Sequence, residues 1–173
     1  MTTSAPTALL AELGIAADYG TTPPLPCYAE ATDLEEIGTN IMGRMQQLTP
    51  VCAVAWRDMV SAARRDKVTL LAVSGYRSIE YQAILIRRKL NSGLRIDEIL
   101  RVNVAPGYSQ HHTGNALDIA TPGYKPLMEE FEESPAFDWL RENAAQYGFT
   151  LPYPRDNLEG LAYEPWHWCR STA

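Results

Sequence analysis

Ser109-Gln110-His111-His112-Thr113-Gly114-Asn115-Ala116-Leu117-Asp118 lies past the middle of a 173-residue chain that has only three histidines. The stretch sets a histidine and a carboxylate seven positions apart and runs on into Ala116-Leu117-Asp118-Ile119-Ala120. That last segment reads as a strand, with Leu117 and Ile119 on one face and Asp118 on the other, because side chains alternate along extended chain. A continuous strand would point His111 and Asp118 to opposite faces, so the backbone must turn between them. Gly114 is the place for the turn, since glycine takes left-handed angles without a Cβ clash.

The third histidine, His167, sits in Tyr163-Glu164-Pro165-Trp166-His167-Trp168. Two histidines and an aspartate complete the protein ligands of a catalytic zinc, which keeps a fourth position for water, and Glu164 supplies a base beside them. Glu164 and His167 also need a kink to meet. Pro165 has no N–H and breaks regular ladder pairing at that point. Each residue alone has a plainer reading: a loop histidine, a surface glutamate, tryptophans in a core. Their joint occurrence favours chemistry. His112 competes with His111 as a ligand; adjacent histidines point apart, so one of them faces solvent or a supporting partner. Cys169 is near enough to His167 to be weighed as a ligand, but reads better as a core position on a strand.

The rest of the chain frames these two motifs. A short helix is expected at Ala8 to Leu13, ended by Gly14, and Thr21-Thr22-Pro23-Pro24-Leu25-Pro26 should run extended. Asp33 is expected to cap a helix carrying Leu34, Ile37 and Ile41. Thr49-Pro50 opens a clearer helix with Val51, Val54, Ala55, Met59 and Ala62 at helical spacing, closed by Arg64, Arg65 and Lys67. Val68 to Val73 reads as a buried strand. Ser78 caps a helix through Tyr81, Ile84, Leu85 and Arg88 that stops at Asn91-Ser92-Gly93, and a short helix follows around Ile96 to Leu100. Glu129 to Glu133 is an acidic, solvated face. Ser134-Pro135 starts a helix with Phe137, Leu140, Ala144 and Tyr147 that Gly148 ends. Strands are expected at Phe149 to Leu151 and Leu161 to Trp168. Helices early and strands late, joined by turns, predict an α+β fold: a small, mainly antiparallel sheet flanked by helices.

Composition narrows the partners. Fifteen Lys and Arg against 21 Asp and Glu give a net charge of −6, which argues against nucleic acid and anionic membrane surfaces. No stretch is long and apolar enough for a membrane span. Three scattered cysteines, Cys27, Cys52 and Cys169, make no disulfide framework and read as reduced, buried thiols. The first ten residues lack a basic start and an apolar run, so they do not read as a secretory signal. The expectation is a monomer, cytoplasmic as synthesised, that either acts there or leaves by lysis or a non-Sec route.

Ser109-x-His111-x-x-Gly114-x-Ala116-x-Asp118 followed by Glu164-Pro165-Trp166-His167 closely resembles the VanY-like D-alanyl-D-alanine carboxypeptidases. Ser74-Gly75-Tyr76-Arg77-Ser78 with Gln82 resembles that family's upstream motif. The resemblance covers Leu70 to Trp168 and implies the fold shared by D-Ala-D-Ala peptidases and the hedgehog domain. It implies a Zn2+ site of His111, Asp118 and His167, and Glu164 as general base and then acid. Arg77 would stabilise the oxyanion, and Gln82, Ser109 and Tyr163 would hold substrate. The substrate implied is a peptidoglycan stem peptide cut between D-alanines. Residues 1–48 then read as a lead-in and strap on a zinc peptidase domain at 49–173. Three alternatives share these motifs: an L,D-carboxypeptidase, an L-Ala–D-Glu or cross-link endopeptidase, and a non-catalytic zinc-binding hedgehog-like module. Retention of both Glu164 and Arg77 speaks against the last.

Overall fold

The computed structural model describes residues 5–171. Its centre is a four-stranded antiparallel sheet of β3 (Leu71–Ser74), β4 (Ala116–Ala120), β5 (Phe149–Thr150) and β6 (His167–Arg170), in spatial order β3-β4-β6-β5. Before β3 come α1 (Thr7–Glu12), a two-stranded hairpin of β1 (Glu35–Thr39) and β2 (Met45–Leu48), and α2 (Pro50–Arg65). Between β3 and β4 lie α3 (Ile79–Asn91) and α4 (Ile96–Ile99), and α5 (Pro135–Asn143) precedes β5. This is the mixed, mainly antiparallel architecture expected from the sequence.

One face of the sheet is apolar and the other is polar. Leu117, Ile119, Phe149 and Trp168 join Trp56 and Met59 of α2 and Phe137 and Leu140 of α5 in the main core. Burying several large side chains there contributes about 1.5–3 kcal/mol each. Because β4 is the second strand, all five of its residues are buried, and its opposite face carries Asp118 inward. A second cluster packs Leu10, Leu13 and Ile15 of the N-terminal segment on Ala83 and Ile86 of α3, with Ile99 and Tyr108. The chain between them crosses the central loop through Tyr28 N to Gly107 O and Ala31 N to His112 O, both 2.8 Å.

Three expectations need correction. Residues after Asp33 form strand β1, not a helix: Gly38 (φ 98) and Gly43 (φ 74) take left-handed angles, and Asn40 Oδ1 accepts from Met42 N and Arg44 N to close the hairpin. The α2 face is rotated from the one expected. Val51 and Val54 are exposed, while Cys52, Trp56, Met59 and Ala63 face the core at helical spacing. The expected strand Leu161 to Trp168 shrinks to His167–Arg170, because Pro165 offers no N–H and His167 N turns back onto Glu164 O at 3.0 Å. Ser78 does cap α3, its hydroxyl accepting from Tyr81 N at 3.0 Å, and Ser134 caps α5 in the same way through Phe137 N.

Candidate active site

Strand register assembles the site. Asp118 stands opposite Ser74 on β3 and opposite His167 on β6. Directly opposed residues point to the same face, so β6 delivers the His167 ring to the Asp118 carboxylate without help from a loop. His111 reaches the same point from a tight 3₁₀ turn, Gln110–Thr113, whose first residue is preceded by Ser109, with Ser109 Oγ accepting from His111 N. Gly114 ends that turn at φ 67, and a Cβ there would sit 3.0 Å from Leu34 and 3.1 Å from Thr49. Glycine is required both for the angle and for the space.

The ligating atoms of His111, Asp118 and His167 lie within 4.8 Å of one another, and all three residues are buried. Nδ1 of His111 donates to the Gly75 carbonyl at 2.7 Å. A carbonyl only accepts, so Nδ1 carries the ring proton and Nε2 keeps a bare lone pair. That Nε2 is buried, has no hydrogen-bond donor, and lies 3.3 Å from Asp118 Oδ1. Nε2 of His167 is engaged by Gln110 Oε1 at 2.9 Å, which leaves its Nδ1 2.9 Å from the same carboxylate oxygen. Three electron-rich atoms thus converge in a dry place, with each imidazole oriented by an acceptor on its far side. Such supported rings are the usual second layer of a metal site, and nitrogen plus carboxylate oxygen suits Zn2+. The donor set fits the metal.

Electrostatics follow from burial. Desolvation, with Arg77 nearby, lowers His111 to about 4, so the ring is neutral as a ligand must be. Burial pushes the Asp118 carboxyl upward, and only a proton or a cation placed between it and the rings of His111 and His167 pulls it the other way. Glu164 Oε2 is 3.9 Å from His167 Nδ1, and burial raises Glu164 to about 7. A carboxyl there exchanges protons readily near neutral pH. Arg77 Nη2 lies 3.9 Å from Asp118 Oδ2, and its Nε is buried without a partner.

A narrow cleft opens over this cluster, lined among others by Arg77, Gln82, Ser109, Gln110, Tyr153 and Glu164. Six of the eight sequence-selected residues, Arg77, Gln82, Ser109, His111, Glu164 and His167, line it, and Asp118 lies against the two histidines. Tyr163 is not among the residues lining the cleft: its hydroxyl donates to Glu132 Oε2 at 2.8 Å and Arg155 covers its ring at 3.9 Å. Gln82 is in place but with the opposite polarity to a carboxylate donor. Its Nε2 is committed to Val104 O at 2.8 Å, which leaves Oε1 buried and unpaired. The acidic face at Glu129–Glu133 is exposed as expected at Glu129, Glu130 and Glu133, while Phe131 is buried and Arg155 binds Glu132 at 2.7 and 2.8 Å.

His112 is the supporting histidine rather than the ligand. It is fully buried, with Nδ1 donating to Arg77 O at 2.7 Å and Nε2 accepting from Gly107 N at 3.0 Å. Sequence reasoning missed Gln110 and Tyr153, which stacks on His167 with ring centroids 5.0 Å apart. Gln110 had a visible signal in its place inside the motif. Tyr153 had none, since only the folded path of the loop before β6 brings it there. All three cysteines are unbridged, and among the described residues no helix is long and apolar enough to cross a membrane.

A buried two-histidine, one-aspartate cluster that could hold a metal ion thus lies beside a carboxyl and a guanidinium, at the open face of a small antiparallel sheet. The family model described as VanY, D-alanyl-D-alanine carboxypeptidase, matches residues 45–171, and the chain belongs to that family. It is 36% identical over 120 residues to YodJ of Bacillus subtilis, covering 66% of this chain and 43% of that protein. It is 32% identical over 118 residues to the D-alanyl-D-alanine carboxypeptidase of Enterococcus faecium, covering 66% of this chain and 34% of the relative. The chain therefore spans less than half the length of these curated relatives. Among solved structures, the LdcB LD-carboxypeptidase aligns with a TM-score of 0.72 at 30% identity, over 84% of this chain and 71% of that one. A VanY D,D-pentapeptidase mutant from a VanB-type vancomycin-resistance cassette, in complex with Zn(II), aligns with a TM-score of 0.63 at 27% identity, over 81% and 79%.

Proposed function

We propose that this protein is a zinc-dependent carboxypeptidase that removes the terminal D-alanine from a peptidoglycan stem peptide ending in D-Ala-D-Ala. The observation that carries the reading is the convergence of His111 Nε2, Asp118 Oδ1 and His167 Nδ1 beside the raised carboxyl of Glu164. His111, Asp118 and His167 would hold the metal, which when bound polarises the scissile carbonyl and acidifies water. Glu164 takes the proton of the attacking water and passes it to the departing amine, a role within reach of a carboxyl held near neutrality. Arg77, always charged, faces the negative charge that develops on the carbonyl oxygen. Gln82 Oε1 accepts an amide N–H of the peptide, and Ser109 supports the 3₁₀ turn under it.

A second reading, removal of D-alanine from an L-centre, draws on the likeness to the LD-carboxypeptidase LdcB. One experiment separates the two. The zinc-loaded protein is incubated with stem pentapeptide and with stem tetrapeptide, with and without chelator, and products are weighed by mass spectrometry. Loss of a single D-alanine from the pentapeptide, abolished by chelator and restored by zinc, is the expected result. Cleavage of the tetrapeptide alone selects the L,D reading, and a split within the stem selects an endopeptidase.

A further inference from the structure

On the far side of Arg77 a second, more open groove runs from Asp118 and Arg77 toward the β1–β2 hairpin. Its other walls include Arg44 and Met45 of the hairpin, Tyr81 and Arg88 of α3, and Leu127. Arg44 and Arg88 are both exposed and make no ion pair among the described residues, although the protein as a whole carries a charge of −6. Arg44 reaches only the hydroxyl of Tyr81, at 3.4 Å. Met45 and Leu127 are 49% and 44% exposed. Leu127 is also held at φ 59, a left-handed angle that a leucine rarely takes. Strain of that kind persists where surroundings impose it, and it concentrates at ligand clamps. The groove thus joins two unpaired guanidinium groups to an apolar wall and opens onto the same arginine as the catalytic cleft.

We propose that this groove binds the acyl-side segment of the substrate, and that Arg44 and Arg88 select a segment bearing a free side-chain carboxylate. The inference rests on the carboxypeptidase reading. The cleft over Glu164 takes the terminal residue, and the peptide crosses Arg77 and Asp118 into the groove. Guanidinium groups pair with carboxylates in a planar fork, while the wall of Met45 and Leu127 covers the aliphatic stem of the neighbouring residue.

The test uses the zinc-loaded Glu164→Gln protein, whose turnover is slowed by about 10²–10⁴-fold, and two probes, N-acetyl-Glu-Lys-D-Ala-D-Ala and N-acetyl-Gln-Lys-D-Ala-D-Ala. Calorimetric titration at low salt is expected to show the glutamate peptide binding about fivefold more tightly, as two partly solvated ion pairs supply. Adding Arg44→Ala and Arg88→Ala should bring that ratio to about one and leave the glutamine peptide's affinity within about twofold. Equal affinities in the parent protein, or a ratio that survives the double substitution, overturns the inference while leaving the carboxypeptidase reading intact. Failure of both peptides to bind overturns the two together.

Discussion

The carbonyl of Gly75 decides what His111 can offer a metal, because it fixes the ring proton on Nδ1 and frees Nε2. Gly75 is itself held by crowding: a Cβ at that position would sit 2.6 Å from Gln47 O. Gly75→Ala is therefore expected to shift the turn, cost about 1–3 kcal/mol in denaturant unfolding, and weaken zinc affinity, read by competition with a chromogenic chelator. His167→Ala removes a ligand outright, and elemental analysis should find less than stoichiometric zinc in that protein. Glu164→Gln should behave in the opposite way, with zinc at parent stoichiometry and turnover lower by about 10²–10⁴-fold. At this scale the sequence was informative where residue types are scarce. Three histidines at two places made the ligand set readable, and Gly114 was legible because parity demanded a turn. The polarity of Gln82 was not legible, since Val104 O takes its amide hydrogen through a contact 22 positions away.

Among the elements, the loop between β5 and β6 carries Tyr153 and Glu164 without regular structure, so side chains must hold it. Arg155 grips Glu132 with two nitrogens and covers the Tyr163 ring, and Tyr163 donates to Glu132 as well. This ties the residue next to Glu164 onto the acidic 3₁₀ turn before α5. Arg155→Ala is expected to lower kcat several-fold, with zinc stoichiometry unchanged and KM nearly so. The conservative Arg155→Lys should recover little, because lysine cannot reproduce the two-pronged grip. The tie also predicts an acid response. Arg155 and Tyr163 hold Glu132 at about 2, below its ordinary carboxylate value of 4.5. Its contribution is fully present above that ordinary value and disappears as pH falls toward 2. Loop proteolysis between pH 5 and pH 2.5 should rise more steeply in the parent than in Arg155→Ala, which has already lost the tie. Sequence reasoning had no means of seeing Arg155 arrive between Glu132 and Tyr163, because that contact joins segments more than 20 positions apart. It placed α2, α3 and α5 correctly, since their caps and breakers are local, but mistook β1 for a helix. Leu34, Ile37 and Ile41 fit a helical period as well as a strand with a bulge, and the hairpin is decided by pairing with β2 across Gly43.

Over the whole molecule, the three proposed ligands come from two strands and one turn that are tied into different parts of the structure, and this would couple metal binding to global stability. Asp118 belongs to the buried β4, His167 to β6, and His111 to a turn crossed by the N-terminal segment through Ala31 N and His112 O. The bare lone pair of His111 and the carboxylate of Asp118 stand together in a site 2–5% exposed, where a bound cation would be held out of water by groups already oriented toward it. Zinc that binds the folded chain and not the unfolded one raises stability by RT ln(1 + [Zn]/Kd), about 2.7 kcal/mol at a hundredfold excess over Kd. For a domain of this size such a gain corresponds to an upward shift of roughly 5–11 °C in Tm. Chelator should lower Tm by that amount in the parent protein and re-addition of zinc should restore it. In His167→Ala the same treatment should leave Tm almost unmoved, because the ligand set is incomplete. Glu164→Gln gives the decisive contrast: it should keep the full zinc-dependent shift, since Glu164 stands beside the ligands and contributes a proton path rather than a metal bond. A Glu164→Gln protein that melts at one temperature with and without zinc would move Glu164 into the ligand set and require another group as the base.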